Sequence, residues 1–339
     1  MNLSTLEATA RALVAPGKGI LAADESGGTI KKRFDSIGVE STEDRRRAYR
    51  EMLFTTKGAA DFVSGVILFD ETIRQQASDG RTLVSVLEEQ GIIPGIKVDK
   101  GTKPLPFSAG ELVTEGLDGL RERLVEYRGL GARFAKWRAV ITIGDGIPSA
   151  NCMMVNAHAL ARYAALCQDE GIVPIVEPEV LMDADNTIER CFEVTRATLH
   201  TVFDGLYAQG VALEGMLLKP NMVVSGKQCA AQAPVDEVAE MTIRCFREVV
   251  PAAVPGVVFL SGGQSDEDAT AHLDAMNKRG PHPWELSFSY GRALQAPALK
   301  AWKGADANIG AGQAAFLKRA RLNGAARSGS YSADLEQAA

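Results

Sequence analysis

The chain has 339 residues, 46% of them hydrophobic and 24% charged, with a formal net charge of -6. That balance is ordinary for a globular protein and argues against nucleic acid or an anionic membrane as a general partner, so any anion must be met by a local basic pocket. No apolar run approaches the roughly 18 residues of a membrane span, and residues 1–18 carry no signal-peptide pattern, so the expected location is the cytoplasm.

Eight apolar, β-branched runs can be read as strands: residues 19–24, 62–69, 92–98, 133–141, 172–179, 216–221, 257–261 and 285–290. Helical patterns lie among them at 42–57, 82–90, 111–128, 150–170, 187–208, 235–249, 266–278, 294–302 and 312–322. Ser41/Thr42 and Ser265 are suited to cap the first and seventh of these, and Gly91, Gly171 and Gly210 to stop others. A strand followed by a helix, repeated eight times, predicts a (β/α)8 TIM barrel. A doubly wound sheet is the alternative, but no G-x-G-x-x-G follows the first strand. No linker interrupts the alternation, so residues 1–339 are expected to form a single domain. An N-terminal arm lies outside the repeat, as does a tail from about 323 to 339, rich in Ala, Ser and Gly, which is expected to be mobile.

Five cysteines, Cys152, Cys167, Cys191, Cys229 and Cys245, make an odd number without a C-x-x-C pair, as free thiols in a reducing compartment would. The four histidines, His158, His200, His272 and His282, lack metal-ligand spacing, so no metal site is expected.

Barrel strands should be apolar on both faces. Here charge gathers at their carboxyl ends: Asp24; Lys97 and Asp99; Lys136 and Arg138; Glu177 and Glu179; Lys219; and Arg292 just past the eighth. A spacing of two puts both members of a pair on one face of a strand. In a (β/α)8 barrel all these ends meet at one mouth, where the active sites of this fold sit. Lys219 ends the apolar run Met216-Leu217-Leu218, with Pro220 directly after it. Burial and a like charge on Lys136 both disfavour its ammonium form, and a neutral lysine is a nucleophile toward carbonyls. Glu177 and Glu179 can relay protons beside an imine; for Glu179, service as an ion-pair partner explains the residue equally well.

Two anion-binding groups flank this lysine. Ser261-Gly262-Gly263 ends the seventh strand, and Ser289, Gly291 and Arg292 end the eighth; loops after these strands are the usual phosphate site of the fold. Ser26, Thr29, Arg33 and Lys97 form a second group, though a surface salt bridge would also account for Arg33. Arg138 is a further substrate-binding candidate. Two anion sites on opposite sides of a reactive lysine suggest a substrate phosphorylated at both ends.

Seven ordered blocks resemble class I fructose-bisphosphate aldolase: Lys18-Gly19-Ile20-Leu21-Ala22-Ala23-Asp24-Glu25-Ser26, Gly95 to Gly101, Phe134-Ala135-Lys136-Trp137-Arg138, Val176-Glu177-Pro178-Glu179, Leu217 to Met222, Phe259 to Gln264, and Phe288 to Gln295. The resemblance implies a cytoplasmic homotetramer that cleaves fructose 1,6-bisphosphate reversibly, in glycolysis and gluconeogenesis, without metal or other cofactor. By match, Lys219 forms the imine and Glu177 is the general acid/base of its formation. Asp24 helps deprotonate the C4 hydroxyl, Lys136 assists near C2 and Glu179 holds the lysine network. Ser261, Gly262, Gly291 and Arg292 match the C1-phosphate site; Ser26, Thr29 and Lys97 match the C6-phosphate side. Eukaryotic members end in a tyrosine that exchanges the C3 proton. Here the tail holds only Tyr331, which leaves that step and the choice among phosphorylated ketoses open. Thr29 stands for a more usual serine and Asp70 for a more usual histidine. The rival readings are another Schiff-base sugar-phosphate lyase, of the tagatose-bisphosphate or transaldolase-like kind, and a catalytically dead scaffold.

Overall fold

The structure, a computed structural model, describes residues 2–337. Eight parallel strands close into a barrel in chain order: β1 (Gly19–Ala22), β2 (Val63–Leu68), β3 (Ile93–Lys97), β4 (Phe134–Ile141), β5 (Val173–Val180), β6 (Leu217–Leu218), β7 (Gly256–Phe259) and β8 (Glu285–Tyr290). The helices are α1 (Leu3–Leu13), α2 (Gly27–Asp35), α3 (Glu43–Phe54), α4 (Asp70–Arg74), α5 (Leu83–Glu88), α6 (Leu120–Gly129), α7 (Ala150–Asp169), α8 (Ile188–Ala208), α9 (Val235–Val249), α10 (Asp266–Asn277), α11 (Arg292–Trp302) and α12 (Ile309–Arg327). The (β/α)8 barrel expected from the alternation is therefore the fold. Among the described residues, no helix is long and apolar enough to cross a membrane.

Local chemistry sets many helix starts. Thr42, Thr82, Ser149, Thr187 and Ser265 each accept a backbone N–H from the first turn of α3, α5, α7, α8 and α10. Inside the barrel, Ile20, Ile67, Phe134, Val173, Ile175, Leu217 and Val258 pack together with Leu6, Ala10 and Leu13 of α1. The Phe134 ring is the largest of these, and Gly95 makes room for it: a Cβ there would stand 2.3 Å from the ring. Ser64, at the start of β2, donates to the Leu13 carbonyl at 2.5 Å, which seats α1 against the amino ends of the strands.

One expectation is corrected, and the two ends of the chain gain detail. The N-terminal arm is α1, a stopper on the barrel floor. Residues 111–128 are not one helix: Leu112–Thr114 pairs antiparallel with Thr102–Pro104, and α6 begins only at Leu120. Of the tail expected from about 323 to 339, residues 323–337 are described and residues 338–339 lie outside the described residues. Asn323 and Ala326 are fully buried in α12, Arg327 pairs with Glu285, and Tyr331 donates its backbone N–H to Asp274 at 2.9 Å.

Candidate active site

The strand ends converge as expected. Asp24, Ser26, Thr29, Arg33, Lys97, Lys136, Arg138, Glu177, Glu179, Lys219, Ser261, Gly262, Ser289, Gly291 and Arg292 line one cavity of about 530 Å³ at the carboxyl end of the barrel. The short β6 delivers Lys219. Its N–H still donates to the Val176 carbonyl at 2.8 Å, so the ladder fixes this residue before Pro220 turns the chain away. Asn221 ties the same exit to β5: its Oδ1 accepts from Val180 N–H at 3.0 Å.

Lys219 is 4% exposed, Lys136 4% and Glu177 3%. The two lysines are not left facing each other. Glu177 stands between them, with Oε1 3.2 Å from Lys219 Nζ and Oε2 3.3 Å from Lys136 Nζ. Lys136 also lies 2.6 Å from Asp24 and 3.9 Å from Asp99, so one ammonium holds the point where three carboxylates converge. Asp99 in turn meets Lys97 at 3.3 Å.

These neighbours decide protonation. Burial alone would raise the Asp24 carboxyl, but Lys136 and Lys219, with help from Lys97, overcome it and hold Asp24 far below its ordinary value. Glu177 follows the same logic: burial pushes it up, while Lys219, Lys136 and Arg138 bring it below the usual range. Burial would lower Lys136; Asp24, Glu177 and Asp99 hold it well above its ordinary value instead. Glu179 is bound to Arg138 Nε in a short ion pair that raises the guanidinium. Glu179 thus has the ion-pair partner that its position allowed, an arginine rather than a lysine.

The anion-binding groups lie around this centre. Gly262 and Gly263 have φ of +59° and +117°, a left-handed run that side-chain-bearing residues resist. Gln264 N–H closes the turn on the Ser261 carbonyl at 2.9 Å, and its Oε1 lies 2.6 Å from Nδ1 of His272. Burial lowers His272 to about 4, so at neutral pH its ring is uncharged and can donate from Nδ1 to that oxygen. Gly291 leads directly into α11, and Arg292 forms no ion pair among the described residues. Ser289 Oγ is buried without a partner. Ser26 and Thr29 bring their hydroxyls to 3.2 Å at the start of α2.

One member lies off the cavity wall, and one that lines it is held differently from the salt bridge considered for it. Gly263 is outside the cavity wall, beneath Lys227 and Arg292. Arg33 reaches toward Gly291, held by an ion pair to buried Glu25 rather than by the surface salt bridge considered for it. Glu25 also takes Arg50 at 2.6 Å and Gln295 at 2.9 Å. The sequence did not single out this group. Asp70 is outside the cavity wall and binds Arg74 and the Tyr127 hydroxyl, a structural role. Tyr331 is also absent from the cavity wall; its hydroxyl donates to Glu336 at 3.1 Å.

A parallel barrel with buried lysines, carboxylates and glycine-rich loops lining one cavity at its carboxyl mouth has the make-up of a (β/α)8-barrel enzyme. Residues 5–339 match the family model described as fructose-bisphosphate aldolase class-I. A probable fructose-bisphosphate aldolase class 1 of Xanthomonas campestris pv. campestris is 59% identical, over 98% of this chain and 99% of the relative. Fructose-bisphosphate aldolase 1 of Toxoplasma gondii is 56% identical, over 96% and 90%. The solved fructose-bisphosphate aldolase from Plasmodium falciparum, in complex with TRAP and a small-molecule inhibitor, superposes with a TM-score of 0.96 at 51% identity, covering 97% of this chain and 96% of that one. The chain belongs to the class I fructose-bisphosphate aldolase family.

Proposed function

We propose that the protein cleaves fructose 1,6-bisphosphate reversibly to dihydroxyacetone phosphate and glyceraldehyde 3-phosphate through an imine on Lys219. The observation that carries this is the contact of buried Lys219 with Glu177, 3.2 Å apart, in a cavity with anion-binding groups on both sides. As the ketose carbonyl arrives, Lys219 hands its proton to Glu177 and the free amine attacks C2. Glu177 returns the proton to the carbinolamine hydroxyl, water leaves, and a protonated imine remains. Asp24, held ionised by Lys136, accepts the C4 hydroxyl proton. The C3–C4 bond breaks and its electron pair flows into the imine as an enamine. Protonation at C3 and hydrolysis then release dihydroxyacetone phosphate and restore the amine. Lys136 stays cationic throughout and keeps Asp24 and Glu177 available as bases. Ser261, Gly262, Gly291 and Arg292 bind the C1 phosphate; Ser26, Thr29 and Lys97 bind the C6 phosphate; Arg138 and Glu179 brace the wall between.

The protein works in the cytoplasm, in glycolysis and gluconeogenesis, as a homotetramer. Turnover of fructose 1,6-bisphosphate by the purified protein is the first test, run beside fructose 1-phosphate and tagatose 1,6-bisphosphate. The 1,6-bisphosphate of fructose should give the highest kcat/KM, with a chelator in the buffer leaving the rate unchanged. No cleavage, or preference for the tagatose ester, overturns the reading.

A further inference from the structure

The loop after β6 carries a cation that the reading above does not use. Its backbone is stitched to the loop after β5 by three hydrogen bonds: Gly226 N–H to Asn186 O at 2.8 Å, Lys227 N–H to Met182 O at 2.7 Å, and Gln228 N–H to Ala184 O at 3.0 Å. The fit is close enough that a Cβ on Gly226 would clash with the Ala184 carbonyl. This seam aims Lys227 at the anion-binding turn. A Cβ on Gly263 would clash with Lys227 Nζ and stand 3.3 Å from Arg292 Nη2, so both cations lie over the same glycine. Arg292 has no carboxylate partner among the described residues, and Lys227 has one, Asp183, at 2.6 Å. Asp183 is 56% exposed at its side chain and Lys227 36%, so water screens their pair. Two cations gathered over a glycine turn, with one screened counter-charge on Lys227, leave a net positive site.

We propose that Lys227 is a substrate-binding residue of this anion site, parting from Asp183 so that its ammonium contacts the phosphate of the bound sugar. The proposal rests on the aldolase reading and adds a residue to it. Asp183 is then a latch: it parks the ammonium beside the turn in the free protein and competes with the phosphate for it. Removing lysine and removing latch must therefore act in opposite directions, which a merely structural ion pair would not produce, since either loss breaks the same bond.

The test compares Lys227→Met, Asp183→Asn and the conservative Lys227→Arg with the parent protein. Two readouts are used: steady-state cleavage of fructose 1,6-bisphosphate, and calorimetric binding of inorganic phosphate without any sugar. Lys227→Met should raise KM about fivefold, with the loss carried by KM rather than kcat, and weaken phosphate by a similar factor. Asp183→Asn should tighten phosphate about two- to threefold, and Lys227→Arg should restore most of the binding. Unchanged phosphate affinity in Lys227→Met, or weakening by both Lys227→Met and Asp183→Asn, overturns the proposal. If the parent protein fails to cleave the sugar, the aldolase reading falls, while the phosphate titration still decides whether Lys227 binds the anion.

Discussion

The two ends of the barrel are built from the same eight strands and obey opposite rules. At the floor, Phe134, Val173, Ile175, Leu217 and Val258 meet Leu6, Ala10 and Leu13 in a core without a charge. A few residues further along the same strands, Lys136, Glu177 and Lys219 are also buried, and they are held by one another and by the carboxylates of Asp24 and Asp99. Burying an ion pair gains little net stability, because desolvation offsets the attraction between the charges. The mouth is therefore a cost that the floor must cover. Stability resides where the side chains are apolar, and chemistry where they are not.

Changes at the two ends should separate these properties. The largest effect is expected from Lys219→Met, which removes the nucleophile and should lower kcat by about 10⁵-fold or more while the barrel stays folded. Glu177→Gln keeps the shape and loses the proton relay; turnover should fall by roughly 10²- to 10⁴-fold. Phe134→Ala at the floor should cost about 3–5 kcal/mol of stability, with kcat near normal at temperatures where the variant stays folded. A loss of turnover without a loss of stability in Phe134→Ala would collapse the distinction.

A smaller effect concerns pH. Asp24 and Glu177 have carboxyls held below their ordinary values in the folded protein. Such groups stabilise the fold above the usual carboxylate range, near pH 4, and that contribution drains away as pH falls toward their folded values. Denaturant titrations should show stability dropping with acid below about pH 4, and Asp24→Asn should make the drop shallower. Phe134→Ala should shift the whole curve down without changing its slope.

The same contrast explains what could be read from the chain. The barrel was legible because apolar runs and helical periods alternate without a break. The mouth was legible because charges at the ends of buried strands are rare and fall at a spacing of two. The Glu25 group was not legible, since its partners Arg33, Arg50 and Gln295 stand on three different helices and the last is 270 positions away. Lys227 was hidden similarly: its aim at Gly263 depends on how two loops pack, and no local pattern encodes it. Residues 111–128 misled because their charges mimic a helix from the start, whereas Leu112–Thr114 finds its partner in a strand that precedes it. The tail offered no such signal, since small residues serve equally for a loose end and for close packing.

The account turns on which amine becomes covalent. Incubation with dihydroxyacetone phosphate, reduction with borohydride, proteolysis and mass mapping of the adduct would read this directly. A single modified peptide is expected, carrying the reduced three-carbon phosphate on Lys219 and absent from Lys219→Met. An adduct on any other lysine, or none in a preparation that turns over substrate, would contradict it.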